Sequence, residues 1–260
     1  MLKNNLYQID VYDNLVPSSA QTLIWDYLAR QKWHVQWDAV PEIPAKLDRY
    51  YPNQGKPWLT TTPTFPTCTS FHRCCLGIEE SDLAENHPLI ANLWKMINKG
   101  LGDVWELTGY PEDMFDEEYS AERKTEGWRC YVNGLYGQAN SGSWGPHRDT
   151  PDLNDDSTAT ILYVANPVWY PRWGAEIVYF PEDPEGLTGD HQQFNVGVHG
   201  QRRGFNIGWP DQGRIVSPVP GRVIVQDGRA LHNTKPPCTS IDQVPNWKIA
   251  FRARKKPVFD

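Results

Sequence analysis

Positive charge is scarce in this sequence, in which 25 lysines and arginines stand against 32 aspartates and glutamates and leave a net charge of −7 at pH 7. Binding along a nucleic-acid backbone requires a basic surface, so this composition argues against a nucleic-acid partner. The one basic run, Arg252 to Lys256, lies at the end of a predicted strand and is interpreted as a solvated strand end.

Long apolar runs and paired cysteines are also lacking. No apolar stretch reaches the length of a membrane span, and the first residues, Met-Leu-Lys-Asn-Asn, lack the apolar region of a signal peptide. The five cysteines are odd in number and show no Cys-x-x-Cys spacing, which argues against a zinc knuckle or a disulfide framework. We therefore expect a cytoplasmic protein with no membrane partner, whose cysteines are mostly buried thiols.

Aromatic and turn-forming residues are plentiful by contrast. The 12 tryptophans, 12 tyrosines and 8 phenylalanines provide material for a core and for an aromatic-lined pocket. The 20 glycines and 22 prolines favour many turns and short strands over a helical bundle. A length of 260 residues suits one barrel or sandwich, so we expect a single domain over residues 1–260.

Two helices are predicted before residue 127. The first begins near Pro17-Ser18-Ser19 and runs to about Gln31, and the second covers 87–101 with a proline at an early helical position. The apolar stripe of the second helix consists of Ile90, Leu93, Trp94, Ile97 and Leu101. An opening strand is predicted within 6–16, and segment 33–80 has no clear period, which favours a lid-like loop.

After Gly127 the sequence changes to short strand-like runs separated by turns. These runs are 128–133, 158–164, 175–180, 214–219, 222–226 and 248–254. Their number and spacing indicate a sandwich or jelly roll. We therefore predict a mixed α+β fold, with N-terminal helices and a variable loop in 1–126 and a double-stranded β-helix (jelly-roll) core in 127–256. The glycine-rich stretch between Pro181 and Gly213 is predicted to be a long loop over one mouth of the barrel.

The chemistry is indicated by His147 and Asp149, which are two residues apart and would therefore point to the same face of a strand. A distant histidine, His232, follows the apolar run 222–226. Two imidazoles and one carboxylate on neighbouring strands form the facial triad of non-haem Fe(II) oxygenases, which leaves open positions on the metal. The pattern predicts a metal held by His147, Asp149 and His232.

Other polar residues near this pattern are weaker candidates for the metal. His191 and His199 compete with His232 but lie in the glycine-rich stretch, where a ligand would lack a rigid support. His72 and His87 occur alone, which is more typical of a core or surface histidine than of a ligand. Arg148 points away from the metal by strand parity, so it is given no metal role.

Five ordered segments resemble the Fe(II)/2-oxoglutarate-dependent dioxygenases, and the prolyl-4-hydroxylase-like branch in particular. They are 131–137, 147–149, 160–169, 173–180 and 220–232. The resemblance covers roughly 127–256, and the opening strand and helix resemble the N-terminal elements of that branch more loosely. It implies a double-stranded β-helix, iron held by His147, Asp149 and His232, and 2-oxoglutarate chelating that iron.

The resemblance also implies a cation for the far carboxylate of 2-oxoglutarate, because a buried carboxylate must be paired. Lys248 is our first candidate and Arg252 the second, since both lie on one face of the strand after His232. The interval from His232 to Lys248 is longer than usual in the family, and Asn246 occupies the cation's place in one possible register. Tyr136 matches a tyrosine that commonly hydrogen-bonds 2-oxoglutarate, and a core tyrosine is the alternative interpretation.

An aspartate at position 149 keeps three protein ligands on the metal, which favours hydroxylation over halogenation. We expect O2-dependent hydroxylation of an unactivated C–H bond in a small metabolite or natural-product intermediate, with succinate and CO2 as co-products. Aromatic residues that could line the mouth are Trp144, Trp169, Trp173 and Trp209, although such residues are more often core. The alternatives are a peptidyl-prolyl 4-hydroxylase, a non-catalytic metal-binding jelly-roll module and a cupin-type enzyme independent of 2-oxoglutarate.

Overall fold

The computed structural model describes residues 7–30, 34–37, 72–109, 128–135, 148–150, 154–180, 214–235, 237 and 246–257. The helices in these ranges are α1 (Ser18–Leu28), α2 (Glu80–Glu85) and α3 (Pro88–Gly100), and a short 3-10 helix spans Pro171–Trp173. The strands are β1 (Ile9–Tyr12), β2 (His34–Trp37), β3 (His72–Glu79), β4 (Trp105–Leu107), β5 (Trp128–Leu135), β6 (Thr158–Val164), β7 (Ile177–Tyr179), β8 (Arg214–Val216), β9 (Val223–Asp227), β10 (His232–Thr234) and β11 (Asn246–Lys255).

The strands form one large and one small sheet, and every pairing among the described residues is antiparallel. The large sheet has the order β1-β9-β6-β11-β5-β3-β2, with β4 paired to the end of β11. The small sheet has the order β10-β7-β8. Strands from before residue 127 and strands from after it therefore share the large sheet.

The outer face of the large sheet is covered by the helices. The helix α3 begins with Pro88, whose missing N–H costs nothing at a helix start, and buries Ile90, Leu93 and Ile97 against the sheet. The helix α1 buries Ile24 and Leu28 in the same apolar core. Both helices predicted from periodicity are confirmed, and burying their apolar stripes explains why they pack here.

The inner face of the large sheet is turned toward the small sheet. Along β11 the side chains alternate, so that Trp247, Ile249, Phe251 and Ala253 enter the helix-side core. Ala250 belongs instead to a second core that it shares with Leu162 and Ile224 of the large sheet and Tyr179 of the small sheet. By the same alternation Lys248 and Arg252 lie on the inner face, as strand parity predicts.

The structure confirms the mixed helix-and-sheet fold and all six strands predicted after residue 127, with ends shifted by up to three residues. It adds β2, β3, β4 and β10, which we did not predict. The strands β2, β4 and β10 have only 3 or 4 residues, too few for a periodic pattern to be recognised. The strands β2 and β3 lie within 33–80, where we predicted a loop, and residues 38–71 of that segment lie outside the described ranges.

Among the described helices, none is long and apolar enough to cross a membrane. The stretch 181–213, which we predicted to be a loop over the barrel mouth, lies outside the described residues, as do His191 and His199.

The fold predicts a large stability cost for truncating Phe251. Its ring is buried against Trp94 of α3, and the two ring centroids are 5.2 Å apart. We expect Phe251→Ala to lower the free energy of unfolding by about 3–5 kcal/mol, because it leaves a cavity between helix and sheet. Urea denaturation measures the change. The matched control is Leu23→Ala on α1, since Leu23 is 56% exposed and its loss should cost less than about 0.5 kcal/mol. Similar losses in the two variants would contradict this arrangement of the core.

Candidate metal and cosubstrate site

Asp149 lies on a short segment that is fastened to the large sheet. The next residue, Thr150, donates its N–H to the Gly228 carbonyl at 2.9 Å, and its hydroxyl lies 2.9 Å from that of Thr158. A Cβ at Gly228 would overlap the Thr150 hydroxyl, so the close approach of these two segments requires glycine at 228. These contacts hold Asp149 in the interior with only 4% of its surface exposed.

His232 begins β10, in the small sheet, and its Cα lies opposite that of Tyr179. Its Nδ1–H donates to the Ala230 carbonyl at 2.9 Å, so that in the neutral imidazole the lone pair is on Nε2. A histidine that ligates a metal commonly has its other ring nitrogen held by such a carbonyl. His232 is 5% exposed, so the strand end and this hydrogen bond define its orientation.

The two side chains come together between the sheets, with His232 Nε2 lying 3.9 Å from Asp149 Oδ1. Metal bonds of about 2.0–2.2 Å from nitrogen and oxygen donors can span such a separation. Imidazole and carboxylate donors together suit a first-row transition metal. The residues present therefore fit a metal ion. His147, the third predicted ligand, lies outside the described residues, and within those residues no three histidine, cysteine, aspartate or glutamate side chains cluster.

Gln226 connects the two candidate ligands and was not identified from the sequence. Its Nε2 donates to Asp149 Oδ2 at 2.7 Å and lies 3.3 Å from His232 Nε2. The Tyr179 hydroxyl donates to Gln226 Oε1 at 2.7 Å, which links the small sheet to the large one. Burial raises the pKa of Tyr179, so its hydroxyl keeps its proton and acts as a donor. The sequence signal that could have identified Gln226 is a polar residue directly after the apolar run Val223-Ile-Val, at a position of β9 that faces inward.

Lys248 lies on the inner face of β11 with 4% exposure. Its ammonium donates to Asn246 Oδ1 at 2.6 Å and to the Ala175 carbonyl at 3.4 Å, and both acceptors are neutral. Burial lowers the pKa of Lys248 to about 7, against a smaller opposite effect of the Glu176 charge. The Nδ2 of Asn246 is buried and has no hydrogen-bond partner within the part of the chain that the structure describes. A buried amine and a buried amide donor thus lie side by side with unused hydrogen-bonding capacity.

Arg252 lies on the same face of β11 but has different surroundings. Its Nη2 donates to the hydroxyls of Thr150 and Thr158, and its Nη1 lies 3.5 Å from that of Thr160. Thr158 in turn donates to Asp155 Oδ2 at 3.1 Å. Partial burial would raise the pKa of Asp155, but hydrogen bonds from Ser157 and Thr158 and the charge of Arg252 lower it. Arg252 therefore braces the segment that carries Asp149, about 13 Å along the strand from Lys248.

The structure places the remaining predicted residues as follows. Trp169 is buried, donates its indole N–H to the Gly174 carbonyl at 3.0 Å and packs edge-on against Trp173 at 5.2 Å. Both belong to the turn that leads to Ala175, the neighbour of Lys248. Tyr136 and Trp144 lie outside the described residues. Arg148 donates to the Arg229 carbonyl and lies over the Tyr7 ring, in agreement with its assignment away from the metal.

Comparison with solved structures shows that this fold is similar to that of a protein that binds 2-oxoglutarate. HygX from Streptomyces hygroscopicus, solved with nickel and 2-oxoglutarate bound, superposes with a TM-score of 0.51 at 13% sequence identity, covering 96% of this chain and 84% of HygX. The same protein with hygromycin B also bound gives a TM-score of 0.50 over the same shares. A Pseudomonas putida prolyl-4-hydroxylase is 12% identical and gives a TM-score of 0.43, over 96% of this chain and 94% of that one. No protein-family model and no curated protein matches the sequence.

Proposed function

We propose that this protein is an Fe(II)/2-oxoglutarate-dependent oxygenase that hydroxylates a small molecule. The two facing antiparallel sheets would be the two sides of a double-stranded β-helix within one domain over residues 1–260. Iron would be held by His147, Asp149 and His232. When bound there, iron and 2-oxoglutarate supply the oxidative chemistry, with O2 consumed and succinate and CO2 as co-products.

The observation that carries the proposal is the buried pair formed by Asp149 and His232. The Ala230 carbonyl selects the imidazole tautomer whose Nε2 lone pair faces the carboxylate. A carboxylate and a neutral imidazole arranged in this way offer two metal donors in a site that excludes bulk water. Tyr179, which packs against the His232 ring, belongs to the apolar core between the sheets.

The far carboxylate of 2-oxoglutarate would bind to Lys248, and we add Asn246 as a second donor. Lys248 is a buried cation that donates to two neutral acceptors, and such a cation is costly unless an anion joins it. The partnerless Nδ2 of Asn246 can complete the binding of a carboxylate. Arg252 is the weaker candidate because three threonine hydroxyls already contact its two Nη atoms, although its buried Nε has no partner among the described residues. This arrangement favours a 2-oxoglutarate enzyme over a metal-binding module without catalytic activity, which needs no such cation.

For the substrate we propose a small metabolite or natural-product intermediate, with hydroxylation at an unactivated C–H bond. Support comes from HygX, whose structure has been solved with hygromycin B bound. On the substrate side we propose Trp169 and Trp173, which pack edge-on against each other in the turn before Ala175.

The test is an anaerobic titration of the apo protein with Fe(II) and 2-oxoglutarate, in which the weak visible charge-transfer band of the chelate is monitored. We expect the band with 2-oxoglutarate and no band with succinate, which lacks the keto-acid end. Exposure of the complex to O2 should then form succinate. Metal binding without a band would contradict the proposal and favour a structural metal site.

The pKa of Lys248 leads to a prediction about pH. Because this pKa is about 7 in the folded protein, the amine loses its charge above neutral pH, and binding of 2-oxoglutarate must then include proton uptake. We expect the dissociation constant of 2-oxoglutarate to rise about tenfold per pH unit above pH 8. In Lys248→Arg, whose guanidinium stays charged, the dependence should be flat. The band titration measures both proteins, and an equal rise in the two would exclude Lys248 as the titrating group.

The same pKa affects stability with the opposite sign. The pKa of Lys248 in the folded protein lies below its ordinary value of 10.5, so the unfolded chain holds more protons between about pH 7 and 10.5. The contribution of Lys248 to stability in the ligand-free protein therefore increases as the pH rises through this range.

A further inference from the structure

Gln226 lies at a position where the strand pattern calls for an apolar side chain. It is fully buried on the inner face of β9, two residues after Ile224, which belongs to the apolar core between the sheets. Its Cα pairs with those of Thr160 on one side and Ile9 on the other. Burying an amide there has a cost that only well-placed hydrogen bonds can offset.

The hydrogen bonds of Gln226 determine which way its amide points. The Tyr179 hydroxyl donates to Oε1 at 2.7 Å, and Nε2 donates to Asp149 Oδ2 at 2.7 Å. Reversing the amide would set its oxygen against the carboxylate of Asp149, with two acceptors facing each other. The carboxylate of Asp149 therefore selects the orientation in which Gln226 acts as its donor, and the hydroxyl of Tyr179 holds the amide in that orientation.

The contact with Gln226 makes the two oxygens of Asp149 unequal. Oδ2 accepts the amide hydrogen bond, whereas Oδ1 faces His232 Nε2 at 3.9 Å. A carboxylate held through one oxygen is disposed to bind a metal through the other one alone. Single-oxygen binding leaves one more coordination position open than binding through both oxygens, and a metal that must also accept a cosubstrate needs that position.

We propose that Gln226 is a positioning residue that orients Asp149 for single-oxygen metal binding, and that Tyr179 holds Gln226 for this purpose. The inference rests on the proposed function, because it takes Asp149 and His232 as metal ligands. Gln226 itself touches both candidate ligands, and no residue of the sequence pattern has this role. Residues that hydrogen-bond a metal ligand typically contribute 10- to 100-fold to the affinity for the metal.

The experiment measures Co(II) binding to the apo protein without 2-oxoglutarate, by visible spectroscopy, in the wild type and in four variants. Gln226→Met keeps the length of the side chain and removes the amide, and we expect the dissociation constant for Co(II) to rise roughly 10- to 100-fold. Tyr179→Phe keeps the glutamine but removes its anchor, and we expect a rise of roughly 2- to 10-fold. The matched control Ile224→Val, on the same strand and face, should bind Co(II) as the wild type does. Asp149→Ala should bind it far more weakly.

The outcomes separate the positioning role from the proposed metal site. If the wild type and Asp149→Ala bind Co(II) equally, the metal site itself is wrong. If Asp149→Ala loses binding while Gln226→Met and Tyr179→Phe retain wild-type affinity, the metal site stands and the positioning role is wrong. Thermal unfolding of the apo proteins excludes a merely structural effect, since Ile224→Val and Tyr179→Phe should melt within a few degrees of the wild type. If Gln226→Met does not fold, the result for Tyr179→Phe decides alone.

Discussion

We expect the replacement of Asp149 or His232 with alanine to abolish the Fe(II)/2-oxoglutarate charge-transfer band and to reduce succinate formation below detection. Each substitution removes one of the two donors that face each other across 3.9 Å in the interior. The metal would then lack one protein ligand, and because the site excludes bulk water, a water molecule could not readily take the place of that ligand. Both variants should stay folded, because each deletes a polar group and leaves the two apolar cores intact.

The matched control for Asp149→Ala is Asp156→Ala, because Asp156 is exposed and lies on the same connection before β6. We expect wild-type band intensity and wild-type turnover for this variant. Circular dichroism and thermal unfolding establish that each protein is folded before its metal binding is compared. A wild-type band in Asp149→Ala or His232→Ala would remove that residue from the site.

We expect the substitution of Lys248 by methionine to raise the Michaelis constant for 2-oxoglutarate by at least about 30-fold, because losing one partner of a buried charge pair costs about 2 kcal/mol or more. Methionine fills much of the same volume, so the loss reports on the charge more than on packing. The measurement is succinate formation at varied 2-oxoglutarate. Iron affinity in the absence of 2-oxoglutarate should not change, since Lys248 Nζ donates to Asn246 and Ala175 rather than to either candidate ligand.

Arg252→Met provides the contrast on the same strand face. The guanidinium of Arg252 braces Thr150 and Thr158, so its loss should lower thermal stability and weaken metal binding through Asp149. The Michaelis constant for 2-oxoglutarate, measured at saturating iron, should change only a few fold. The opposite pattern, with a large effect on 2-oxoglutarate in Arg252→Met and none in Lys248→Met, would exchange the roles we give to the two cations.

Local pattern was sufficient for much of the fold. The 3.6-residue period of α3 and the alternation along β11 are each contained in a continuous stretch, so they could be predicted from neighbouring residues alone. The strands β2 and β4 could not, because a run of 3 or 4 residues carries little periodic information and is stabilised by its partner strands.

The candidate site divides in a similar way. The spacing of His147 and Asp149, with His232 on a later strand, could be recognised because the metal-binding chemistry limits residue type and parity. The sequence could not assign His232 to β10 in the small sheet, since that depends on its pairing with Tyr179.

The sequence by itself determined the helices, the later strands, the candidate metal ligands and the shared inner face of Lys248 and Arg252, because each of these depends on residue type and short-range periodicity. Only the tertiary structure distinguished the two cations, since the threonines around Arg252 and the amide beside Lys248 are brought there by strand pairing. It also decided the role of Gln226, which contacts Asp149 from 77 positions away. Contacts over such separations depend on how the sheets pack, which no local pattern encodes.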